Sequence, residues 1–473
     1  MARRKKTASM PQADKEKLLK KAIVSEDEQP YKVPSNWCWV RTNILTELHR
    51  GVAYAKTDVS STKGADDCLI LRGGNILEGA IQTLREDNVY INKHLVRENQ
   101  FIQMFDTIIV ASTASDKVIG RAGIVANDFS DVAFGAFLLL ARPKQRYIKK
   151  FVSLYFQTSL YRKTIKESVA GTNIYNIRLE YISELPFPIP PLPEQQRIVE
   201  RIESLFSKLD AAKERIQNVL DGCELRKAAI LKKAFNGELT EKWRKEHGED
   251  LKSWSDRTLK ECGTWHGGGT PSTSHPEYWE NGKILWITSK DMKSDLIEDT
   301  IKHINMLGIE NSAVKYNTQP SVLFVTRSGI LRRTLPISMV KKPFTVNQDL
   351  KVLTPSDINL EYLFWACKDN EHKMLEKCMK TGTTVENINT DKLMEYTIPI
   401  APILEQLEIV QIINNLLEKE SKVKEAAEQA LRQIEYIKKS ILAKAFRGEL
   451  GTNDPQEESS LELLKQIIET GNS

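Results

Sequence analysis

From Ile198 onward, apolar positions recur with gaps that alternate four and three: Ile198, Ile202, Leu205, Leu209, Ala212, Ile216, Val219, Cys223, Arg226 and Ile230. This is the period of a coiled-coil seam rather than of a general amphipathic face. At 1.5 Å per residue, some forty residues make a rod of about 60 Å. Gly237 stands where a helix takes a left-handed C′ glycine. The pattern then returns at a constant offset of 211 residues, Glu194 matching Glu405 and Leu239 matching Leu450. Residues 194–239 and 405–450 align without a gap. Both open with Glu-Gln and both close with Lys-Ala-Phe-x-Gly-Glu-Leu. Solenoid repeats run to about 20–50 residues, so this longer duplication predicts two globular units carried on two equivalent helices. The rods, 194–236 and 405–447, are expected to pack antiparallel with the globular units at opposite ends.

Outside the rods the pattern shortens. Strand-like runs fall at 67–71, 106–111 and 137–141, and a helical spacing of Phe151, Leu154, Tyr155 and Leu160 covers 148–168. The first unit leaves through Glu-Leu-Pro-Phe-Pro-Ile-Pro-Pro-Leu-Pro, a rigid exit that suits the first turn of a helix. The units echo each other faintly. Gly171-Thr-Asn-Ile-Tyr-Asn-Ile177 answers Gly382-Thr-Thr-Val-Glu-Asn-Ile388, and the strand at 108–112 answers 323–327. The organisation predicted is a polar arm at 1–27 with a short helix near 15–23, a first unit at 28–190, and a first long helix at 191–240. A polar linker at 241–254, a second unit at 255–401, a second long helix at 402–450 and a tail at 451–473 complete it. In the tail, Ser459-x-x-Glu462 forms a capping-box pattern ahead of Leu463, Leu464, Ile467 and Ile468. The fold class expected is α+β: two similar α/β units separated by two long antiparallel coiled-coil helices with pseudo-two-fold symmetry.

Composition narrows the function. The 41% hydrophobic content supports packed cores, and no apolar run reaches the about 18 residues of a membrane span. The basic start lacks the apolar stretch of a signal peptide, which points to the cytoplasm. Six scattered cysteines, with no Cys-x-x-Cys, suit buried free thiols rather than disulfides or zinc. A net charge of +5 says little about nucleic acid by itself. No phosphate-binding Gly-x4-Gly-Lys-Ser/Thr loop occurs, nor the Asn/Asp-Pro-Pro-Tyr/Phe of amino-methyltransferases, nor a Gly-x-Gly-x-x-Gly after a strand. The seven histidines form no His-x3-His pair. The residues hold no constellation for catalysis, so the chain is expected not to be an enzyme and to bind no cofactor or metal itself.

The doubled order of globular unit, proline-rich exit, Glu-Gln helix and Lys-Ala-Phe-x-Gly-Glu-Leu end resembles the specificity subunit of type I restriction–modification systems. Gly268-Gly269-Thr270-Pro271-Ser272 and Ile284-Leu285-Trp286-Ile287-Thr288-Ser289-Lys290-Asp291-Met292 resemble openings of a target-recognition domain in that family. The first unit departs from the pattern, with Arg72-Gly73-Gly74-Asn75-Ile76 in place of Thr288–Met292. The resemblance implies that two target-recognition domains each read half of a split site on double-stranded DNA, with the helices as a ruler. It implies two modification subunits carrying S-adenosylmethionine, and restriction subunits using ATP and Mg. The rival reading is a coiled-coil adaptor with two protein-binding heads and no DNA.

Base reading needs amide, hydroxyl or guanidinium groups on loops that enter a groove. The candidates are Arg72, Asn75, Ser112, Thr113, Lys117, Arg121, Thr172, Asn173 and Tyr175 in the first unit. In the second they are Lys290, Thr326, Arg327, Ser328, Arg332, Arg333, Thr383, Thr384 and Asn387. One further pair belongs to the rods. Leu209 corresponds to Glu420 and Arg226 to Ile437, so each seam carries one charge, of opposite sign. An antiparallel pairing centred between Ile216 and Val219 brings Arg226 against Glu420, a polar layer suited to fixing register.

Overall fold

A computed structural model describes residues 12–169, 175–380 and 385–470. The chain divides into two compact units, one of residues up to Arg215 together with those from Ala430, the other Ile216–Gln429. Each contains a mixed domain and part of both long helices.

The first unit's domain has a four-stranded antiparallel sheet in the order Thr46–Arg50, Leu138–Pro143, Thr107–Val110, Ala122–Ile124. A second sheet runs Val89–Asn92, Asp67–Leu71, Val132–Phe134, its last pair parallel. The run Thr107–Val110 is buried at every position, the mark of a strand covered on both faces. Its alternate side chains serve different cores. Ile108 and Val110 join Leu138 and Leu140, while Ile109 joins Leu139, Ala141 and the helices. The expected helix over 148–168 breaks into Lys149–Tyr155 and Ser159–Ser168, because Thr158 caps the second piece by accepting from Tyr161 N.

The second unit repeats this plan. Gly263–Gly267, Leu350–Pro355, Ser321–Val325 and Ile337–Val340 form its antiparallel sheet, with Leu296–Ile297 added at the edge. His303–Ile304, Ile284–Ile287 and Phe344–Val346 form the three-stranded sheet, again with one parallel pair. In both units a short ribbon leads into a long helix: Cys38–Arg41 with Pro186–Ile189, and Ser255–Thr258 with Thr397–Ile400. The α+β class with two similar domains and long antiparallel helices is what the sequence pattern predicts.

The first long helix is not one uninterrupted rod. It runs Leu192–Asp221, turns at Gly222 and continues as Cys223–Phe235. The main-chain ladder passes through the turn, Gly222 N donating to Asn218 O at 3.1 Å and Arg226 N to Gly222 O at 3.0 Å. The second helix, Ile403–Ala445, is continuous. The helices are antiparallel: in the first unit Asp210 pairs with Lys438 and Lys213 with Glu435, and in the second Arg226 pairs with Glu420. The seam is not core throughout. Ile198, Ile202, Ile409, Ile413 and Ile434 are buried, but Val219, Val423 and Ile437 are exposed. Two helices whose facing layers include Ala212, Cys223, Arg226 and Glu420 have too little apolar bulk to close a seam along its length.

The repeated end motifs have a structural job. Glu194, fully buried, accepts from Trp37 Nε1 at 2.7 Å, Asn453 Nδ2 at 2.8 Å and Thr452 Oγ1 at 3.3 Å. Glu405, also fully buried, accepts from Trp254 Nε1 at 2.8 Å, Thr240 Oγ1 at 2.7 Å and Arg244 Nη1. The neighbouring glutamines hold the entry strands, Gln195 Nε2 donating to Pro190 O and Gln406 Nε2 to Ala401 O. The motif phenylalanines pack into the cores, Phe446 stacked on Phe151 at 4.8 Å and Phe235 edge-on to Tyr362 at 5.3 Å. Gly237, at φ +81°, ends its helix in the left-handed region as expected, and Gly448, at +73°, does the same for the second helix. Each mixed domain is thus clasped by the segment that follows the other domain's repeat helix.

Three polar segments do more than the sequence suggests. The linker 241–254 carries the helix Glu241–His247 and buries Arg244 against Glu405. The N-terminal arm forms the helix Gln12–Ala22 and then buries Ala22 and Val24. The tail helix Ser460–Thr470 buries Leu463, Leu464, Ile467 and Ile468 in the first unit's core.

Candidate nucleic-acid interface

The two domains place their candidate loops on one shared frame. In the first, Arg72 follows the strand Asp67–Leu71 and its N–H donates to Asn75 Oδ1 at 2.9 Å. In the second, Thr288 follows Ile284–Ile287 and its N–H donates to Asp291 Oδ2 at 2.8 Å. The divergent stretches Arg72–Ile76 and Thr288–Met292 are the same side-chain-capped turn. Beside it, Ser112 pairs with Asn176 and Thr113 with Tyr175, while Arg327 bridges Asn387. The echoed sequences near 171–177 and 382–388 therefore lie against equivalent strand ends. Thr172, Asn173, Thr383 and Thr384 lie outside the described residues.

Several candidates are taken up internally. Asn75 is buried, and its amide donates to Gln82 O at 2.9 Å and Asn88 Oδ1 at 3.1 Å, so it holds the turn instead of facing outward. Thr326 is buried with Oγ1 donating to Asp349 O. Arg72 bonds Asp87, whose carboxyl is held below the usual range by Arg85 first and Arg72 after it. Arg121 is half-buried and donates to Gly73 O at 3.3 Å. Tyr175 packs against the first unit's core. Ser328 caps the turn Gly329–Arg332, and Asn387 donates to Val385 O. Sequence reasoning cannot separate these from outward groups, because a loop turn and a groove contact use the same side chains.

The outward cations are Lys117 in the first unit and Lys290, Arg327 and Arg333 in the second, all exposed and without a side-chain ion pair among the described residues. Arg332 is exposed too, but pairs with Glu386 and holds that carboxyl below its ordinary value. Ser112 and Thr113 are half-buried at their strand end. A cleft of about 340 Å³ opens beside the second unit's capped turn, lined by Thr288, Ser289, Lys290, Asn347 and Asp349 among others. The turn at 347–349, with its counterpart at 135–137, was not among the sequence candidates. Its only signal was the match between the strands that follow, Leu138 and Leu350 onward.

Among the described residues no cluster of three or more His, Cys, Asp or Glu could hold a metal ion. No helix among them is long and apolar enough to cross a membrane.

Comparison with known proteins agrees with this duplicated plan. The family described as type I restriction modification DNA specificity domain matches residues 39–221 and again 252–433. The type I restriction enzyme EcoKI specificity subunit of Escherichia coli is 28% identical over 434 residues, covering 89% of this chain and 90% of that protein. The StySPI specificity subunit of Salmonella potsdam is 26% identical over 430 residues, with the same coverage of both chains. Two solved chains share the fold at 19% identity, each covering 89% of this chain and all of the other. One comes from work on complex assembly and conformational transition of the type I R-M system, at a TM-score of 0.65. The other is the HsdS subunit from Thermoanaerobacter tengcongensis, at 0.54. With both domains matched in turn, the chain belongs to the type I restriction–modification DNA specificity family.

Proposed function

We propose that this chain is the subunit that reads DNA for a type I restriction–modification complex, each domain recognising one half of a split target. The observation that carries the reading is one loop frame built twice and filled differently: Ser112 where the second domain has Arg327, Gly74 where it has Lys290. A duplicated scaffold with conserved geometry and divergent outward groups suits two similar stretches of duplex with different sequences. A general adaptor has no need of that divergence.

The chain works without chemistry of its own. Two modification subunits supply S-adenosylmethionine and the methyl-transfer site, and restriction subunits supply ATP, Mg and cleavage. Large apolar side chains that the long helices leave exposed, Leu225, Leu404 and Tyr436 among them, support docking of such subunits there. The paired helices act as the ruler that sets the undefined spacer. Binding two half-sites with one chain makes the second contact intramolecular, and half-sites on one DNA face lie about 34–36 Å apart or a multiple of it. The complex operates in the cytoplasm.

The test is to express the full chain with its modification partner in cells lacking other methylation, and to map methylated bases by long-read sequencing. The expected result is one motif of two defined parts around an undefined spacer. A continuous motif, or none, overturns the reading. The purified chain alone should transfer no methyl group from labelled S-adenosylmethionine, and transfer without a partner refutes the division of labour. Binding should fall steeply with salt, as phosphate contacts require.

A further inference from the structure

The turns at 135–137 and 347–349 are equivalent bond for bond. Gly135 N donates to Leu71 O at 2.9 Å, and Asn347 N to Ile287 O at 3.0 Å. Leu138 N returns to Gly135 O at 2.9 Å, and Leu350 N to Asn347 O at 3.4 Å. Phe137 O accepts from Ala111 N at 2.9 Å and Ser112 N at 3.1 Å; Asp349 O accepts from Thr326 N at 2.8 Å and Arg327 N at 3.2 Å. Each turn is therefore pinned between the capped turn's strand and the strand end that carries the outward candidates. Identical frames present different side chains. Phe137 is 69% exposed, an aromatic ring in water beside Ser112. Asp349 is half-buried in the cleft, with Oδ2 accepting from Asn347 Nδ2 at 3.1 Å and no partner for Oδ1 among the described residues.

The Phe137 ring and the Asp349 Oδ1 are not used by the fold among the described residues. An exposed phenylalanine forgoes its burial energy, and a carboxylate beside DNA is repelled by phosphate unless a cation stands near it, as Lys290 does in lining the same cleft. In the major groove, thymine alone offers a methyl group. Cytosine alone offers an amine with no acceptor on the same base, whereas adenine sets N7 beside its amine and guanine offers only acceptors. We propose that Phe137 and Asp349 are equivalent specificity-determining residues: Phe137 packs on a thymine methyl in one half-site, and Asp349 Oδ1 accepts from a cytosine amine in the other. This rests on the DNA-reading function above.

The experiment uses the full chain with its modification partner and the methylation map. Wild type should specify an A·T pair in one half-site and a G·C pair in the other at the positions the variants then reveal. Phe137→Ala should reduce discrimination at one A·T position by about five- to a hundredfold, the range of a good base contact, leaving the other half-site intact. Asp349→Ala should do the same at one G·C position in the opposite half. Phe137→Asp should turn the relaxed position toward G·C, which a merely structural role would not produce. A wild-type complex that writes no two-part motif overturns the function and the inference together. A wild-type motif unchanged in the Phe137 and Asp349 variants overturns the inference alone. So does a variant that weakens both halves equally, or loss of a whole half-site in both Phe137 variants.

Discussion

Glu194 and Glu405 hold the same position in the repeat, yet their surroundings differ in a way that stability should register. Glu405 faces a guanidinium, Arg244, and the pair is almost wholly buried. Among the described residues the hydrogen bonds to Glu194 come from neutral donors, Trp37, Thr452 and Asn453, with Arg197 near it but hydrogen-bonded elsewhere. Removing one partner of a buried ion pair strands the other charge and costs about 3–5 kcal/mol. Leaving neutral buried donors unsatisfied costs about 1–3 kcal/mol. Glu405→Ala should therefore destabilise its unit more than Glu194→Ala does the other, as read from denaturant midpoints; the reverse order would mean that the clasps are not organised around these carboxylates. The thiols offer a second residue-scale check. Burial pushes the Cys262 thiol up to about 11, so at pH 8 about one in a thousand is thiolate. Cys262 should resist maleimide in the native protein and react once it is unfolded, whereas half-buried Cys223 should label first. Rapid native labelling of Cys262 would contradict its burial.

At the scale of elements, Arg226 and Glu420 were legible because each is a charge in an apolar seam. The structure joins them, Arg226 Nε to Oε2 at 2.8 Å and to Oε1 at 3.0 Å, with side chains 40% and 24% exposed. What the seam did not reveal is Gly222. A Cβ there would meet Arg226 Nη1 at 2.6 Å, and the guanidinium also donates to Val219 O at 3.1 Å. The glycine interrupts the helix and leaves room for the arginine that ties it to its neighbour. Two effects then oppose in Gly222→Ala: a gain in helix propensity of about 1 kcal/mol, and displacement of Arg226 from Glu420. The substitution should be near neutral alone and stabilising in an Arg226→Ala background, which a double-mutant cycle by thermal melting measures; equal effects in both backgrounds would show that the glycine and the arginine are uncoupled. The buried role of 241–254 was illegible for a different reason. Its composition is polar throughout, and Arg244 finds its carboxylate 161 residues away in sequence.

For the whole molecule, the constant 211-residue offset made the duplication of the helices readable, since their seam tolerates few residue types. The domains share a frame of main-chain bonds, which side-chain identity barely constrains, so the equivalence of 135–137 with 347–349 left in the sequence only the weak match of the strands that follow. That contrast predicts which parts exchange freely. Replacing residues 28–190 with another family member's first domain keeps the main-chain frame and should change one half-site only; a change in both would end the modular reading. The helices should behave otherwise, because their register is cross-tied by Asp210 with Lys438, Lys213 with Glu435 and Arg226 with Glu420. Seven residues added to one helix preserve its seam but put the Arg226–Glu420 pair out of register with the other two, and the protein should lose stability. Seven added to both, between Ile216 and Val219 and between Ala427 and Ala430, restore every pair. The rod then grows by about 10 Å, close to three base pairs at about 3.4 Å each. Both half-sites should survive in the methylation map while the undefined spacer lengthens by about that amount. A matched insertion that left the spacer unchanged would show that something other than these helices measures the distance.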